Sequence, residues 1–144
     1  MTAPVTTVRL ATVDDAAAMA DVLNAVIREG GRTAIEGPVS PADLRDWYLD
    51  GSTAYGCVIA TRDDRWAVGF QALERHHGGL AADEADIATF VDARARGGGV
   101  GRALAEATFA RMATVGLTGL RAVIRADNAP AIAYYRALGF DVRE

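Results

Sequence analysis

Apolar residues recur along the chain with two different spacings. Short, mostly apolar runs bounded by turn residues predict strands at residues 5–10, 54–61, 66–73 and 86–92, within 117–125, and from Phe140 onward. Apolar residues three and four positions apart predict helices between 12–15 and 30–31, from 40–43 through Tyr48, over 100–115, and from 127–130 through Leu138. A hairpin precedes the alternating strands and helices, so this order predicts a mixed α/β sheet with helices on both faces.

Composition narrows the class of protein. The 144 residues, 51% hydrophobic and 24% charged, suit one globular domain with one core. The chain has no long apolar run and no signal-peptide pattern at its N-terminus, so we expect a cytoplasmic protein without a membrane partner. The net charge of −4 argues against nucleic acid as a partner. The single cysteine, Cys57, lies in an apolar run and is expected to be a buried thiol.

One stretch is rich in both glycine and arginine. Residues 94–102 read Arg-Ala-Arg-Gly-Gly-Gly-Val-Gly-Arg and stand between a predicted strand and a predicted helix. Glycine weakens strands and helices, so a turn is expected there. Because unpaired N–H groups and the dipole at a helix N-terminus attract anions, the expected ligand carries phosphate. A flexible surface loop is the alternative for this stretch alone.

Two common nucleotide-binding motifs do not fit this stretch. It lacks the Gly-Lys-Ser/Thr ending of a triphosphate-binding loop, and all fifteen basic residues of the chain are arginine. A dinucleotide fold would place a carboxylate about twenty residues further on, where this chain has only residues 118–121, Thr-Gly-Leu-Arg.

A second motif points to a family. Residues 128–140, Asn-Ala-Pro-Ala-Ile-Ala-Tyr-Tyr-Arg-Ala-Leu-Gly-Phe, resemble the N-x-x-A-x-x-x-Y-x-x-x-G-F signature of the GNAT superfamily, the acyl-CoA-dependent N-acyltransferases. Residues 96–101 fit that family's Q/R-x-x-G-x-G/A pyrophosphate loop, and the resemblance covers the whole chain in element order.

Further segments resemble one branch of that family, the phosphinothricin and amino-acid N-acetyltransferases. Residues 23–27 and 32–36 are similar to that branch's Y-N-x-x-I and T-x-x-x-E segments. Its strand pattern E-x-S-x-Y-V lies over residues 86–91, where Asp86, Ala88 and Phe90 replace the glutamate, serine and tyrosine.

The resemblance implies a fold and a way of binding acetyl-CoA. The fold is a V-shaped sheet of six or seven strands that splays where the coenzyme enters. The pantetheine arm would pair with the backbone of the strand at Thr89, Phe90 and Val91. Asn128 would contact that arm, or would only cap its helix. The pyrophosphate would lie on the glycine-rich loop, formed by Arg96, Gly97, Gly98, Gly99, Val100, Gly101 and Arg102.

The resemblance also implies catalytic residues. Tyr135 matches the family tyrosine whose hydroxyl protonates or hydrogen-bonds the departing thiolate, whereas Tyr134 is expected to pack into the core. The attacking amine must first lose a proton, and Asp86 and Glu84 are the candidate bases. Because aspartate is shorter than the family's glutamate, Asp86 would act through a water molecule. Solvated carboxylates at a strand edge are the alternative.

The same comparison suggests how the acceptor is bound. Asn24, Arg75 and His77 are the expected acceptor-binding residues, with Arg75 holding a carboxylate. No metal is expected, because adjacent histidines on an extended strand point apart. The chain stops at Glu144, before the family's last strand, so we expect a homodimer that covers the sheet edge.

These expectations combine into one reaction. We expect an N-acetyltransferase that moves an acetyl group from acetyl-CoA to the primary amine of a small molecule, an amino acid or an analogue. Transfer would be direct, within a ternary complex, because no nucleophilic cysteine or serine constellation supports a covalent acyl-enzyme. The alternatives are a non-catalytic acyl-CoA-binding regulatory domain and an enzyme that acetylates a protein or peptide amine.

Overall fold

A central sheet organises the computed structural model, which describes residues 5–143. Within them the sheet has five strands, which lie side by side in chain order. The first four strands pair antiparallel with one another, whereas the fourth and fifth strands are parallel. The strands are β1 (Thr6–Leu10), β2 (Ala54–Arg62), β3 (Trp66–Glu74), β4 (Glu84–Val91) and β5 (Gly119–Arg121).

Within residues 5–143, four helices flank the sheet, and each begins or ends where the sequence places a capping residue. The second helix continues as a wide turn over Arg45–Leu49. None of the described helices is long and apolar enough to cross a bilayer. Gly116, in the left-handed conformation, ends the third helix. The helices are α1 (Ala16–Glu29), α2 (Pro41–Leu44), α3 (Val100–Val115) and α4 (Ala129–Ala137).

The core is divided between the two faces of the sheet. On the first face, the apolar stripe of α1, including Met19 and Leu23, packs with α2 against Phe70 and Phe90. On the second face, Leu104 of α3 and Tyr135 of α4 belong to two further clusters. The predicted mixed sheet with helices on both faces is therefore confirmed, and Cys57 is buried as expected.

The described chain shows fewer strands than the six or seven predicted. β5 has only three residues, and residues 140–143, predicted to begin another strand, have no regular structure. Phe140 instead donates its N–H to the Tyr135 carbonyl at 3.0 Å, and its ring packs on the Tyr135 ring with the centroids 5.1 Å apart. Local contacts with the end of α4 therefore hold this segment, and Val142 is exposed.

Candidate functional site

A cleft opens where β4 and β5 separate. β5 pairs with β4 only from Glu84 to Asp86, whereas β3 pairs with β4 as far as Val91. Beyond Asp86, the edge of β4 that faces β5 has no strand partner among residues 5–143. The cleft that begins at this edge has a volume of about 550 Å³ and is bounded by β4, residues 95–102 and α4.

The backbone of β4 presents hydrogen-bonding groups to this cleft. The Asp92 N–H donates to the carbonyl of Val68 in the neighbouring strand β3, at 2.8 Å. Because successive residues of a strand turn their N–H and C=O groups to opposite edges, Thr89 and Val91 turn theirs away from β3 and toward the cleft. The Val91 carbonyl accepts a bond from Arg96 at 2.9 Å. The groups of Thr89 are thus placed to pair with an extended ligand.

The glycine-rich stretch forms the turn that precedes α3. Gly97 and Gly99 have φ angles of 81° and 83°, which favour glycine. Gly99 precedes the first helical residue and, having no side chain, cannot cap the helix. The N–H groups of Val100, Gly101 and Arg102 are those that an α-helix leaves without an internal partner. The N-terminus of this 16-residue helix therefore presents open donors to the cleft.

The arginines around this loop differ in their partners. Arg96 forms a bidentate pair with Glu29, with both bonds 2.7 Å long, and this guanidinium keeps the pKa of Glu29 below its usual range. Arg94 pairs with Asp92 in the same way and lowers the pKa of that carboxyl. The Arg96 side chain therefore ties the loop to α1, and because the residue also lines the cleft, the phosphate contact predicted for it stays a prediction. Arg102, exposed at the cleft, forms no ion pair within residues 5–143.

Tyr135 lies between the core and the cleft. Its ring packs with Leu73 and Ile87, and only 6% of the residue is exposed. Its hydroxyl lies 2.7 Å from the Thr89 hydroxyl on the cleft wall. Burial raises the pKa of the phenol above its ordinary value, and the hydrogen bond with Thr89 acts in the opposite direction.

Tyr134 packs against the same core cluster, as predicted, and it also reaches the cleft. Its hydroxyl donates to the Gly101 carbonyl at 2.6 Å and lies 3.0 Å from the Gln71 amide nitrogen. The same Gln71 nitrogen lies 2.9 Å from the Thr89 hydroxyl. Gln71 was absent from the predicted site, although an amide inside the apolar run of β3 was the available signal.

Two asparagines hold backbone segments near the site. The Asn128 oxygen accepts the Ala131 N–H at 3.3 Å, so the residue caps α4, and its amide donates to the Arg32 carbonyl at 3.1 Å. Asn128 also lines the cleft. The Asn24 side chain exchanges two bonds with the Val39 backbone, at 2.7 and 3.0 Å. Asn24, predicted to bind the acceptor, therefore has a structural role that occupies its amide.

The two predicted bases lie at the start of β4. Asp86 is buried, and its carboxylate accepts hydrogen bonds from Nε and Nη2 of Arg121, at 2.6 and 2.9 Å. Glu84 accepts the Ala81 N–H at 2.8 Å. At roughly 3.3 Å per residue, Asp86 lies about 10 Å and Glu84 about 17 Å along the strand from Thr89. The structure therefore does not bring either carboxylate beside Tyr135.

Asp86 belongs to a mixed cluster on the first face of the sheet. Single ligand atoms of Glu74, His77 and Asp86 lie within 4.8 Å of one another. Glu74 is already bonded to His76 at 2.9 Å, and Asp86 is paired with Arg121. A metal ion would have to compete with a guanidinium and an imidazole for these carboxylates, so the contacts favour an ion-pair network over a metal centre.

Arg75 lines a second, smaller cleft, which shares His77 with this cluster. This cleft has a volume of about 280 Å³, and Tyr55 and His77 also line it. The Arg75 guanidinium lies 5.8 Å from the centre of the Tyr55 ring and donates to the Ala81 carbonyl at 3.1 Å. Arg75 and His77, both predicted to contact the acceptor, are thus neighbours in the structure.

Comparison with known proteins accounts for this arrangement. The sequence model of the acetyltransferase (GNAT) family matches residues 23–140, which include the whole cleft wall from α1 to the end of α4. The chain therefore belongs to the GNAT acetyltransferase family, as its two motifs predicted.

Relatives within the family are distant. YwnH of Bacillus subtilis strain 168, provisionally named a phosphinothricin acetyltransferase, is 26% identical over 93% of this chain and 83% of its own length. A mycothiol acetyltransferase of Saccharomonospora viridis is 36% identical over 72% of this chain, which spans about a third (34%) of that longer protein.

Solved structures share the fold. A crystal structure provisionally named a phosphinothricin N-acetyltransferase superposes with a TM-score of 0.81 at 27% identity, over 95% of this chain and 84% of that chain. The phosphinothricin acetyltransferase of Sinorhizobium meliloti, whose structure contains acetyl-CoA, gives a TM-score of 0.82 at 24% identity, over 96% of this chain and 76% of that chain.

Proposed function

We propose that the protein is an acetyl-CoA-dependent N-acetyltransferase that acts on the primary amine of a small molecule, an amino acid or an analogue. One observation carries this proposal. The free edge of β4, the open N-terminus of α3 and the hydroxyl of Tyr135 converge on a single cleft. The first two are backbone groups suited to an amide-containing arm and a diphosphate, and the third is a hydrogen-bond donor for a leaving group.

The cleft residues fit the coenzyme by chemistry. The N–H groups of residues 100–102 would hold the pyrophosphate, and the Thr89 backbone would pair with the pantetheine amides. Arg102 would add positive charge beside the phosphates. Bound there, acetyl-CoA would supply a thioester: a C–N bond forms to the amine, the C–S bond breaks, and its electron pair leaves on sulfur.

We assign the leaving-group role to Tyr135 and not to Tyr134. The Tyr134 hydroxyl already donates its only proton to the Gly101 carbonyl and accepts from Gln71. The reference pKa is about 10 for tyrosine and about 8.5 for a thiol, so full proton transfer to the thiolate is uphill by roughly 2 kcal/mol. Burial raises the pKa of Tyr135 further. Tyr135 would therefore stabilise the thiolate by donating a hydrogen bond, without full proton transfer.

The acceptor is proposed to enter from the cluster side of β4. Because Asp86 is paired with Arg121, the ammonium proton of the acceptor would pass to a solvent water at that end of the strand. A carboxylate on the acceptor matches the guanidinium of Arg75, with His77 beside it. This pairing favours an amino acid over a polyamine as the acceptor.

The test is thiol release from acetyl-CoA across a panel of amino acids, polyamines and peptides, together with calorimetric binding of acetyl-CoA. Tyr135→Phe is expected to lower kcat on the order of 10²-fold while the acetyl-CoA Kd stays unchanged. Tyr134→Phe is the matched control and should lower kcat much less, by no more than about 10-fold, because it leaves the Tyr135 hydroxyl in place.

Other outcomes would redirect the proposal. An equal loss of kcat in both phenylalanine variants would overturn the assignment to Tyr135. Binding of acetyl-CoA without release on any amine would indicate a regulatory acyl-CoA-binding domain, and release with peptides alone would indicate a protein or peptide acceptor.

We also propose that the protein is a homodimer. The outer edge of β5 has no strand partner among residues 5–143, and nearby Val123 is 77% exposed. An unpaired edge of this kind favours association with a second chain. Sedimentation velocity should show a dimer at micromolar concentration, and a monomer there would contradict the proposal.

A further inference from the structure

We infer that Gln71 and Thr89 are positioning residues that direct the hydroxyl proton of Tyr135 into the cleft. This inference rests on the proposed function, because it concerns the hydroxyl assigned to the leaving group. It starts from a chain of four polar side chains that crosses the sheet from β3 to α4. The chain comprises Tyr134, Gln71, Thr89 and Tyr135.

The donor direction along this series of hydrogen bonds is set at Gly101. Its carbonyl can only accept, so the hydroxyl of Tyr134, 2.6 Å away, must donate its single proton there. Tyr134 can then only accept from Gln71. This requirement places the Gln71 amide NH₂, and not its carbonyl oxygen, toward Tyr134. The orientation of the amide is thus determined by hydrogen-bonding rules.

The second proton of the same NH₂ sets the state of Thr89. Gln71 and Thr89 are register partners on adjacent strands, and Nε2 of Gln71 donates to the Thr89 hydroxyl at 2.9 Å. The Thr89 oxygen then has one lone pair occupied and its own proton available for the Tyr135 oxygen 2.7 Å away. In that arrangement the proton of Tyr135 points into the cleft.

A leaving thiolate selects this arrangement over its reverse. With every donor aligned from Gln71 through Thr89 to Tyr135, each bond polarises the next and strengthens the donation at the end of the chain. In the reverse arrangement the Tyr135 hydroxyl would donate its proton to Thr89 and would present only lone pairs to the cleft. A developing negative charge in the cleft favours the donor.

Packing alone gives no reason for an amide at this position. Gln71 is only 1% exposed and stands among apolar residues of β3. Its carbonyl oxygen accepts no bond from the described residues. A buried polar group costs free energy where an apolar one of similar size would not. The two hydrogen bonds that the Gln71 NH₂ donates explain why an amide occupies this position.

The first experiment changes the hydroxyl of Thr89. Thr89→Val keeps the shape and removes the hydroxyl, whereas Thr89→Ser keeps the hydroxyl. We expect kcat to fall about 10-fold in Thr89→Val with the acetyl-CoA Kd unchanged, and Thr89→Ser to recover most of the loss. Equal kcat in wild type and Thr89→Val would overturn the inference.

The second experiment reverses the polarity of Gln71 without changing its shape. An ionised Gln71→Glu side chain only accepts, so it would draw the Thr89 proton away from Tyr135. The ratio of Gln71→Glu kcat to wild-type kcat should therefore fall as pH rises and the new carboxyl ionises. A merely structural role predicts a ratio that is constant with pH, and that result would count against the inference.

A third readout needs no turnover. 3,5-Difluorotyrosine placed at position 135 has a more acidic phenol, whose ionisation ¹⁹F NMR can follow in the folded protein. Loss of the Thr89 donor should raise this pKa by about one unit in Thr89→Val, and Thr89→Ser should restore it.

The NMR result separates the two proposals. An unchanged pKa refutes the network whether or not the protein has activity. A shifted pKa in a protein without any thiol release would leave the network standing and would refute the proposed function.

Discussion

The contact between Gly101 and Tyr134 yields a prediction that opposes the usual effect of alanine in a helix. Gly101 lies in the first turn of α3, where replacement by alanine normally stabilises by about 0.5–1 kcal/mol. In this chain a Cβ at position 101 would lie 2.8 Å from Cε1 of Tyr134. The family's loop pattern accepts either residue here, so the conflict is specific to Tyr134.

The structure indicates which effect is larger. To relieve the contact, the Tyr134 ring must move away from α3, but its hydroxyl is bonded to the Gly101 carbonyl and to Gln71. Overpacking costs about 1–3 kcal/mol, and a weakened hydrogen bond about 1 kcal/mol more. Against a gain of less than 1 kcal/mol, we expect Gly101→Ala to destabilise by about 2 kcal/mol, or roughly 6 °C in Tm.

A double-mutant cycle with Tyr134→Leu tests the reasoning. Unfolding in urea would be measured for wild type, both single variants and the double variant, because the cycle isolates the term that depends on both sites. With the ring removed, Gly101→Ala should become neutral or slightly stabilising, giving a coupling of about 2 kcal/mol. A stabilising effect of Gly101→Ala in the wild-type background, or additive single effects, would refute the clash.

Three further predictions concern other residues. Asp86→Asn leaves Arg121 without its carboxylate and should cost about 1–3 kcal/mol in urea unfolding; a loss of kcat at unchanged stability would instead mark Asp86 as the base. Glu29→Gln should lower stability at pH 7 but much less at pH 3. The Arg96 bond lowers the pKa of Glu29, so its contribution is present above about pH 4.5 and lost as pH falls through the folded-state pKa. Cys57, whose pKa burial raises, should react with a thiol reagent at pH 8 only in denaturant, and rapid labelling of the folded protein would contradict its burial.

The sequence predicted the elements well because their signals are local. Strong apolar periodicity marked α1, and positive-φ turn residues Asp63 and Asp64 separate two strands of clear β character. The same rules failed at residues 140–143, where a strand needs a neighbour to pair with. There the rings of Phe140 and Tyr135 pack together instead, a choice that depends on the position of α4 and not on residue type.

The site was predicted where it consists of backbone and less well where it consists of side chains. A glycine pattern specifies the turn before α3 directly, because few other residues adopt φ near 80°. The partners of Arg96 and Asp86 come from distant parts of the chain, Glu29 and Arg121, and a charge has no preferred partner in sequence. Gln71 was missing from the predicted site for the same reason, because its role depends on its position opposite Thr89 on the neighbouring strand.

The alternation along β4 separates two kinds of recognition by atom type. Ile87, Thr89 and Val91 turn main-chain groups toward the cleft, while Asp86, Ala88 and Phe90 are directed by their side chains toward the face that carries α1. Under the proposed function, substitutions at the even-numbered positions would therefore alter the acceptor side without altering the peptide groups offered to the coenzyme. One strand would then accommodate different acceptors with the same acetyl donor, and only a proline at an odd-numbered position would remove an N–H group from the edge that pairs with the coenzyme.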